Sequence, residues 1–272
     1  MLYDLPSQRI DDHPDMDNPH DLIDVDLTSP PGGTSAASPQ RQSPNHLLAA
    51  LDPTEYRRLA PKLRTVPLTH LLELQRVGEP VRHVYFPGSG VCSVITIMRD
   101  GRMVEVGTIG REGVVNFGVF FAPDAIQAFA TIVQVPGDSA QVLSAGAFLE
   151  EMERKGELYE QVRRYAQAYS LFSMQATACT SVHSVEERCA KWLLMTHDRV
   201  GADRFVLTHE FFAAMLGVRR ATVTVVAQAF QSAGLIRYAR GVITIIDRER
   251  LKQASCECYD LVARQFGELL PG

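Results

Sequence analysis

The spacing of hydrophobic residues divides the chain into three parts after residue 44. Between residues 45 and 63, leucines recur at helical spacing and predict a short helical region. From residue 66 to about residue 143, short apolar runs are separated by glycine and proline, which is typical of β-strands. After Gly156 the helical spacing returns. The chain is therefore predicted to combine a β-rich part with a following helical part.

The β-rich part contains three clear strand signals. Residues 91–98, 103–109 and 130–135 are rich in β-branched side chains, and Asp100 with Gly101 forms a two-residue hairpin signal between the first two. Many short strands at regular spacing predict a small antiparallel barrel or sandwich.

An apolar stripe runs along the first long helix, which is predicted over residues 157–183. Its members are spaced alternately four and three residues apart, the pattern of a coiled coil. They are Leu158, Val162, Tyr165, Tyr169, Phe172, Ala176 and Cys179. This stripe predicts a homodimer in which a second copy of the chain supplies the facing helix. The alternative is a core helix packed on its own barrel, and the bulky tyrosines favour coverage of part of the stripe by that barrel.

Capping signals mark the helices that follow. Ser184 and Glu187 fit a capping box and predict a helix ending near Gly201. Thr208 can cap a further helix, and Gly217 suits the tight turn between two helices that cross at a large angle. These signals predict a helix-turn-helix.

The second helix of this motif is predicted to be amphipathic. Its buried stripe consists of Val223, Val226, Ala227 and Phe230. The opposite face carries Arg220, Thr224 and Gln228, whose polar groups suit base edges in a DNA major groove. Residues 237–246 then predict a hairpin, the wing, with its tip at Arg240 and Gly241.

Composition and charge narrow the functional classes. The chain has 272 residues, 46% of them hydrophobic, and a net charge of −5. It has no membrane-spanning apolar run and no secretory signal pattern, so a cytoplasmic protein is expected. Residues 1–44 hold eight aspartates and two arginines and few large apolar side chains, which predicts a disordered acidic tail. Residues 186–246 hold eight basic and five acidic residues, a local bias compatible with nucleic-acid binding.

The order of barrel, long helix and winged helix-turn-helix resembles the Crp/Fnr superfamily of transcription regulators. The resemblance covers about residues 45–246 and is strongest in the segments RHVYFPGSGVCSVI, HSVEERCAKWLLMTHDRVG and LTHEFFAAMLGVRRATVTVVAQAFQSAGLI. It implies an α+β fold with an N-terminal antiparallel β-barrel of the jelly-roll, cyclic-nucleotide-binding-like type. The implied boundaries are a sensory barrel over 45–156, a dimerisation helix over 157–183, and a DNA-binding domain with a C-terminal helix over 184–272.

The resemblance also implies which residues contact DNA. The base-reading triad of the family falls on Arg220, Ala221 and Val225, of which only Arg220 keeps the usual chemistry. The operator should therefore differ from that of the cyclic-AMP receptor. Thr222 matches a threonine that contacts the DNA backbone, and Arg219 is placed to reach a phosphate. The full predicted set is Thr208, Arg219, Arg220, Ala221, Thr222, Thr224, Val225, Gln228, Arg237 and Arg240.

The implied partners are double-stranded DNA with a palindromic operator, a second copy of the chain and RNA polymerase. Cyclic AMP is not expected as the ligand, because cyclic-nucleotide binders of the family hold the phosphate with an Arg-Ser pair. The corresponding stretches here are residues 110–118 and 127–131, and the second lacks an arginine. Arg111 could still serve an unrelated anion. No cofactor is expected, and the effector stays unknown.

Other chemistry finds little support in the sequence. Residues 1–91 contain no cysteine, which disfavours the N-terminal iron–sulfur cluster of the oxygen-sensing branch. The spacing of Cys256 and Cys258 is tighter than the usual metal knuckle, so helix packing is the favoured interpretation. His183 and Glu187 lie one helical turn apart and could ligate a metal, but a hinge or capping role is favoured. No metal site is therefore expected.

Two other functional classes stay open at this point. The chain could be a ligand-sensing module whose C-terminal part contacts protein, or an enzyme using Cys256, Cys258 or histidines in thiol or metal chemistry. The exposed polar face of the second motif helix favours DNA over a protein partner. The lack of a nucleophile–base motif disfavours the enzyme.

Overall fold

The computed structural model describes residues 43–270 of the chain. The predicted acidic tail therefore lies outside the described residues, except for its last two positions. Ser43 is buried and its hydroxyl contacts the Gln141 side chain, and Pro44 packs against Gly88. The Asn45 side-chain amide donates to the carbonyls of Pro87 and Gly113 at 2.9 and 2.8 Å. Packing thus extends at least two residues before the predicted boundary.

Nine α-helices lie within residues 43–270. They are α1 (His46–Ala49), α2 (Pro53–Leu59), α3 (Ala145–Glu153), α4 (Glu157–Val182), α5 (Val185–Val200), α6 (His209–Leu216), α7 (Arg220–Ser232), α8 (Arg248–Gln253) and α9 (Cys258–Leu269). Short 3-10 helices span Ala60–Lys62 and Phe117–Phe120.

The same residues form ten strands. They are β1 (Arg64–Leu68), β2 (Glu73–Gln75), β3 (His83–Pro87), β4 (Val91–Ile97), β5 (Met103–Ile109), β6 (Ala130–Val135), β7 (Gly137–Ser144), β8 (Arg204–Val206), β9 (Ile236–Ala239) and β10 (Val242–Ile245).

The first seven strands form two antiparallel sheets, which confirms the predicted β-rich part. One sheet has the order β1-β7-β3 and the other β2-β6-β4-β5. The hairpin between β4 and β5 turns at Gly101, whose φ of 82° is in the left-handed region. Short turns join β3 to β4 and β6 to β7, so the chain passes directly from one sheet to the other, as in a jelly roll.

Helix α4 matches the predicted long helix, but its apolar stripe is covered by the same chain. Five of the seven stripe residues are at most 5% exposed, and the other two are half-buried. Tyr165 lies against Gly113 and Tyr169 against Gly107, where any larger side chain would collide with the tyrosine. Phe266 of α9 packs edge-on against Tyr165 and Phe172 at centroid distances of 6.4 and 6.3 Å.

The stripe predicted as a dimer interface is therefore covered by the same chain in this structure. The four-three spacing specifies that one face of the helix is buried, and here the β5 region, the 3-10 helix Phe117–Phe120 and α9 bury it. The stripe of Leu158, Val162, Tyr165, Tyr169, Phe172, Ala176 and Cys179 is core packing within one chain. Any contact of α4 with a second copy has to use another face.

The C-terminal elements follow the predicted signals. The Ser184 hydroxyl accepts from the Glu187 backbone N–H, and the Glu187 carboxylate accepts from the Ser184 N–H, which completes the capping box. Strands β8, β10 and β9 form a three-stranded antiparallel sheet beside α6 and α7. Among the described residues, no helix combines the length and apolar character needed to cross a membrane.

Candidate nucleic-acid interface

Helices α6 and α7 form the predicted helix-turn-helix. The Thr208 hydroxyl caps α6 by accepting from the Phe211 N–H at 3.2 Å. Gly217 ends this helix with a φ of 65°, a conformation that a side chain would strain. After two more residues, α7 begins at Arg220 with Arg219 at its N-cap. This sharp turn fixes α7 across α6.

The two faces of α7 divide as predicted, except that Thr224 is half-buried. Its apolar stripe is buried, and its outer face exposes Arg220, Ala221, Val225 and Gln228. The Arg220 side chain is 67% exposed. An exposed guanidinium in the first turn of the second motif helix has the position from which such helices contact base edges.

The Arg220 guanidinium has an acidic partner on α6 that the sequence did not reveal. Its Nη1 lies 2.6 Å from Oε1 of Glu210, whose side chain is 59% exposed. Ion pairs between such exposed groups contribute about 0–1 kcal/mol, because water screens them. The ion pair orients the Arg220 side chain but is weak. The guanidinium can therefore leave Glu210 and bind a base edge instead.

Thr224 is less available than its sequence position suggests. Its hydroxyl donates to the Arg220 carbonyl at 3.1 Å and lies 3.0 Å from Nδ1 of His209. The His209 ring stacks on Tyr238 of the wing at 4.1 Å between centroids. Burial lowers the pKa of His209, as does the charge of Arg220, while Glu210 raises it. Thr224 therefore helps to join α7 to α6 and the wing.

The remaining predicted DNA contacts lie around the outer face of α7. Arg219 is exposed, and its side chain makes no capping hydrogen bond to the helix, while Thr222 is half-buried. In the wing, Arg240 and Gly241 have φ values of 50° and 73°, as a two-residue type I′ turn requires. Arg237 and Arg240 are both exposed on this hairpin. The motif therefore displays basic side chains on the wing as well as on α7.

Helix α5 joins the helix-turn-helix to the β-sheets through two polar contacts. The Trp192 indole N–H donates to Glu105 of β5 at 2.9 Å. The Arg199 guanidinium pairs with Glu112 at 2.8 Å, and both side chains are largely buried. A cavity of about 760 Å³ lies beside these contacts, lined by β5, α4, α5 and the end of α6. The two parts of the protein are thus in direct contact around a space large enough for a small molecule.

Residues 110–118 are occupied by contacts within the chain. The Gly110 N–H donates to Oε1 of Glu112 at 3.1 Å, and the same oxygen accepts from Arg199. An added side chain at Gly110 would collide with Arg199. The cation beside this stretch thus belongs to α5 and is neutralised by Glu112.

The Glu105 contact predicts a pH-dependent stability. Burial raises the pKa of Glu105 to about 7, although hydrogen bonds from Ser93 and Trp192 and the charges of Arg199 and Lys191 lower it. The folded protein then holds a proton that the unfolded chain has released, so stability should fall as pH rises from about 5 to 7. We expect a loss on the order of 1–2 kcal/mol, since the cavity admits some solvent.

Urea unfolding at several pH values measures this effect. Glu105→Gln should flatten the profile between pH 5 and 7, whereas Glu79→Gln, at a more exposed carboxylate, should preserve it. An identical slope in wild type and Glu105→Gln would show that another group is responsible.

Comparisons with known proteins agree with this architecture. Residues 187–254 match the Crp-like helix-turn-helix domain. No curated protein matches the chain by sequence. Among solved structures, the chain is similar to FixK2 from Bradyrhizobium japonicum, with a TM-score of 0.60, 15% identity and coverage of 71% of this chain and 98% of that one.

Two further structures give the same result. A CRP-family transcriptional regulator from Thermus thermophilus has a TM-score of 0.59 at 18% identity, covering 71% of this chain and 96% of its own. A proposed transcriptional regulator of the Crp/Fnr family from Eubacterium rectale has a TM-score of 0.58 at 19% identity, covering 75% and 94%. At these identities, the likeness establishes the fold.

Residues 187–254 thus form a Crp-like helix-turn-helix domain, a kind of domain that binds DNA. The fold of the chain is shared with solved transcription regulators of the Crp/Fnr family, as the resemblance in sequence predicted.

Proposed function

We propose that the protein is a dimeric, sequence-specific regulator that reads a palindromic operator with the outer face of α7. The observation that carries this proposal is the exposed Arg220 and Gln228 face beside the exposed arginines of α7 and the wing. Arg219, Arg237 and Arg240 supply phosphate contacts, which position the protein without reading sequence. Arg220 supplies the base contact, because a guanidinium can bond O6 and N7 of a guanine together.

A second copy of the chain is the partner that fits the outer face of α4. That face carries a second stripe with near-heptad spacing, formed by Gln167, Leu171, Met174, Ala178 and Val182. Met174 and Val182 are 66% and 74% exposed, which is unusual for large apolar side chains along one helix face. A self-complementary helix face pairs around a two-fold axis, and the axis brings two copies of α7 to two equal half-sites.

A DNA-binding regulator of this kind also has an expected location, partner and response to an effector. The chain acts on DNA in the cytoplasm, is not an enzyme, and influences transcription through contact with RNA polymerase. The cavity between β5, α4 and α5 is where an effector would alter the position of the helix-turn-helix. Such an effector must bind the DNA-competent arrangement more tightly than the other arrangement.

Cyclic AMP should not be that effector. The second phosphate-binding stretch lacks arginine, and Glu112 engages the guanidinium of Arg199 beside the first stretch. Cyclic-nucleotide binders of the family hold the phosphate with an Arg-Ser pair, and the second stretch offers no arginine for this pair. Calorimetry should therefore give no binding in the micromolar range, and a micromolar or tighter dissociation constant would contradict this expectation.

A protein partner for the C-terminal part is the competing function. Salt dependence separates the two, because phosphate contacts release counterions and the affinity for duplex DNA then falls steeply with salt. When the logarithm of the affinity for a mixed-sequence duplex is plotted against the logarithm of the salt concentration, Arg240→Ala should reduce the slope by about two, one for each subunit of the dimer. A protein that binds no duplex at low salt would favour the competing function.

A further inference from the structure

Four side chains with metal-binding atoms converge where α4 ends and α9 begins. Cys179 and His183 lie one turn apart at the end of α4, and Cys256 and Cys258 come from the segment that leads into α9. Their three sulfur atoms and one ring nitrogen all lie within 4.8 Å of one another. All three cysteines are at most 3% exposed. Two pairs that are distant in sequence thus form one cluster.

Two separations within this cluster match those around a single tetrahedral metal ion, and the others are at most 4.8 Å. The sulfur atoms of Cys179 and Cys256 are 3.6 Å apart, as are the Cys258 sulfur and Nδ1 of His183. A zinc ion about 2.3 Å from sulfur and 2.0–2.1 Å from nitrogen requires ligand separations of roughly 3.5–3.8 Å. A disulfide requires sulfur atoms about 2.05 Å apart, and an iron–sulfur cluster places several atoms between its thiolates.

Neighbouring groups complete the surroundings that a metal centre needs. Nε2 of His183 lies 3.1 Å from the Glu257 carboxylate, which would hold the ring with Nδ1 directed at the metal. The Gln175 amide donates to the Cys258 sulfur at 3.0 Å. The Lys191 ammonium, on a side chain that is mostly buried, donates to the Cys179 sulfur at 3.4 Å.

The charges also balance. Three thiolates with one divalent cation carry a net charge of −1, which the single positive charge of Lys191 offsets. The thiolate is the form of cysteine that binds metals. Apolar packing of cysteines alone would not call for a buried ammonium, a histidine and a carboxylate in the same place.

We propose that Cys179, His183, Cys256 and Cys258 bind one zinc ion. Zinc suits the site because three thiolates and an imidazole in a closed tetrahedron form a structural zinc centre. The ion would tie α9 to the last turn of α4, directly before Ser184 starts α5. The ion would therefore stabilise the connection between the long helix α4 and the helix-turn-helix domain. This role does not depend on which DNA sequence the protein recognises.

Metal analysis of the full chain, purified under reducing conditions without chelator, tests the proposal. We expect one zinc ion per chain in the wild type and almost none in the Cys256→Ser/Cys258→Ser variant or in His183→Ala. The matched control is Cys189→Ser, because Cys189 is also fully buried but lies outside the cluster. Zinc retained by the double variant, or a metal other than zinc in the wild type, would overturn the proposal.

Cobalt substitution keeps the test independent of how the variants fold. The wild-type chain, stripped of metal and titrated with Co²⁺, should develop thiolate charge-transfer bands and the intense visible bands of a tetrahedral site. Addition of Zn²⁺ should remove these bands. Absence of the bands, or a Cys179–Cys256 disulfide found by mass spectrometry in the freshly purified protein, would overturn the site.

Glu257 provides a finer test as a positioning residue. Glu257→Ala should weaken zinc binding by about 10–100-fold in competition with a chelator, since second-layer carboxylates have effects of this size. Glu249→Ala, at an exposed acid on α8, should leave the affinity unchanged. Equal affinities in the two variants would contradict the role of Glu257.

Discussion

Replacing Arg220 with alanine is expected to weaken operator binding by about 1–3 kcal/mol and to relax preference at one base pair in each half-site. The reason is its exposed position in the first turn of α7, from which its guanidinium can reach a guanine. Binding to random duplex should fall much less, because that affinity comes from phosphate contacts. Titrations against the operator, point-mutated operators and random duplex at one fixed salt concentration measure the effect.

The ion pair with Glu210 supplies the matched control. Glu210→Ala also breaks the pair, but it removes a negative charge from the interface and leaves Arg220 in place. It should therefore leave operator affinity unchanged or raise it. A uniform loss across all duplexes in Arg220→Ala would make Arg220 a phosphate anchor and leave base reading to Gln228. An equal loss in Glu210→Ala would mean that the ion pair acts through the shape of the motif.

The double substitution Leu171→Glu/Met174→Glu is expected to convert the dimer to a monomer. Two-fold symmetry doubles each substitution, and burying unpaired carboxylates in an apolar interface costs several kcal/mol. Operator affinity should then fall on the order of 10²-fold or more, because each monomer binds a half-site alone. Sedimentation velocity measures the assembly, and operator titration measures the consequence.

Thr177→Glu is the control for this pair. Thr177 is exposed on the same helix, but it faces the cavity between α4 and β5. That variant should remain dimeric. Dimers that persist in Leu171→Glu/Met174→Glu would place the two-fold contact elsewhere on the molecule.

The sequence predicted those features whose causes are local. The capping box at Ser184, the hairpin at Gly101 and the glycine turn at Gly217 each depend on residues within a few positions of one another. The helix-turn-helix followed from the same kind of signal, so its elements could be predicted, and so could its outer face with the exception of Thr224.

The partner of each face could not be predicted, because a periodic pattern does not say what covers it. The spacing of the α4 stripe predicts contact with a second copy. In the structure, the aromatic rings of the stripe pack against Gly107, Gly113 and Phe266 of the same chain. The outer stripe with Leu171 and Met174 has nearly the same spacing. This spacing is the feature of the sequence that could have indicated a second apolar face on α4.

The sequence does not predict the cysteine cluster, for a related reason. Cys256 and Cys258 alone are too closely spaced for a metal knuckle, and in the sequence the nearest possible partner of His183 is Glu187, one helical turn away. Glu187 instead completes the cap of α5, while His183 turns towards Cys258. Each half of the set is weak by itself, and only the packing of α9 on α4 joins the halves.

Selection of bound sequences from a random duplex library by the full chain tests the central claim most directly. A dimeric regulator that reads DNA with α7 should enrich an inverted repeat whose two equal half-sites are centred about 34–36 Å apart, one turn of the double helix. Selection with Arg220→Ala should lose one guanine from each half-site. Failure of the wild type to enrich any sequence across low and moderate salt would contradict the assignment as a sequence-specific regulator.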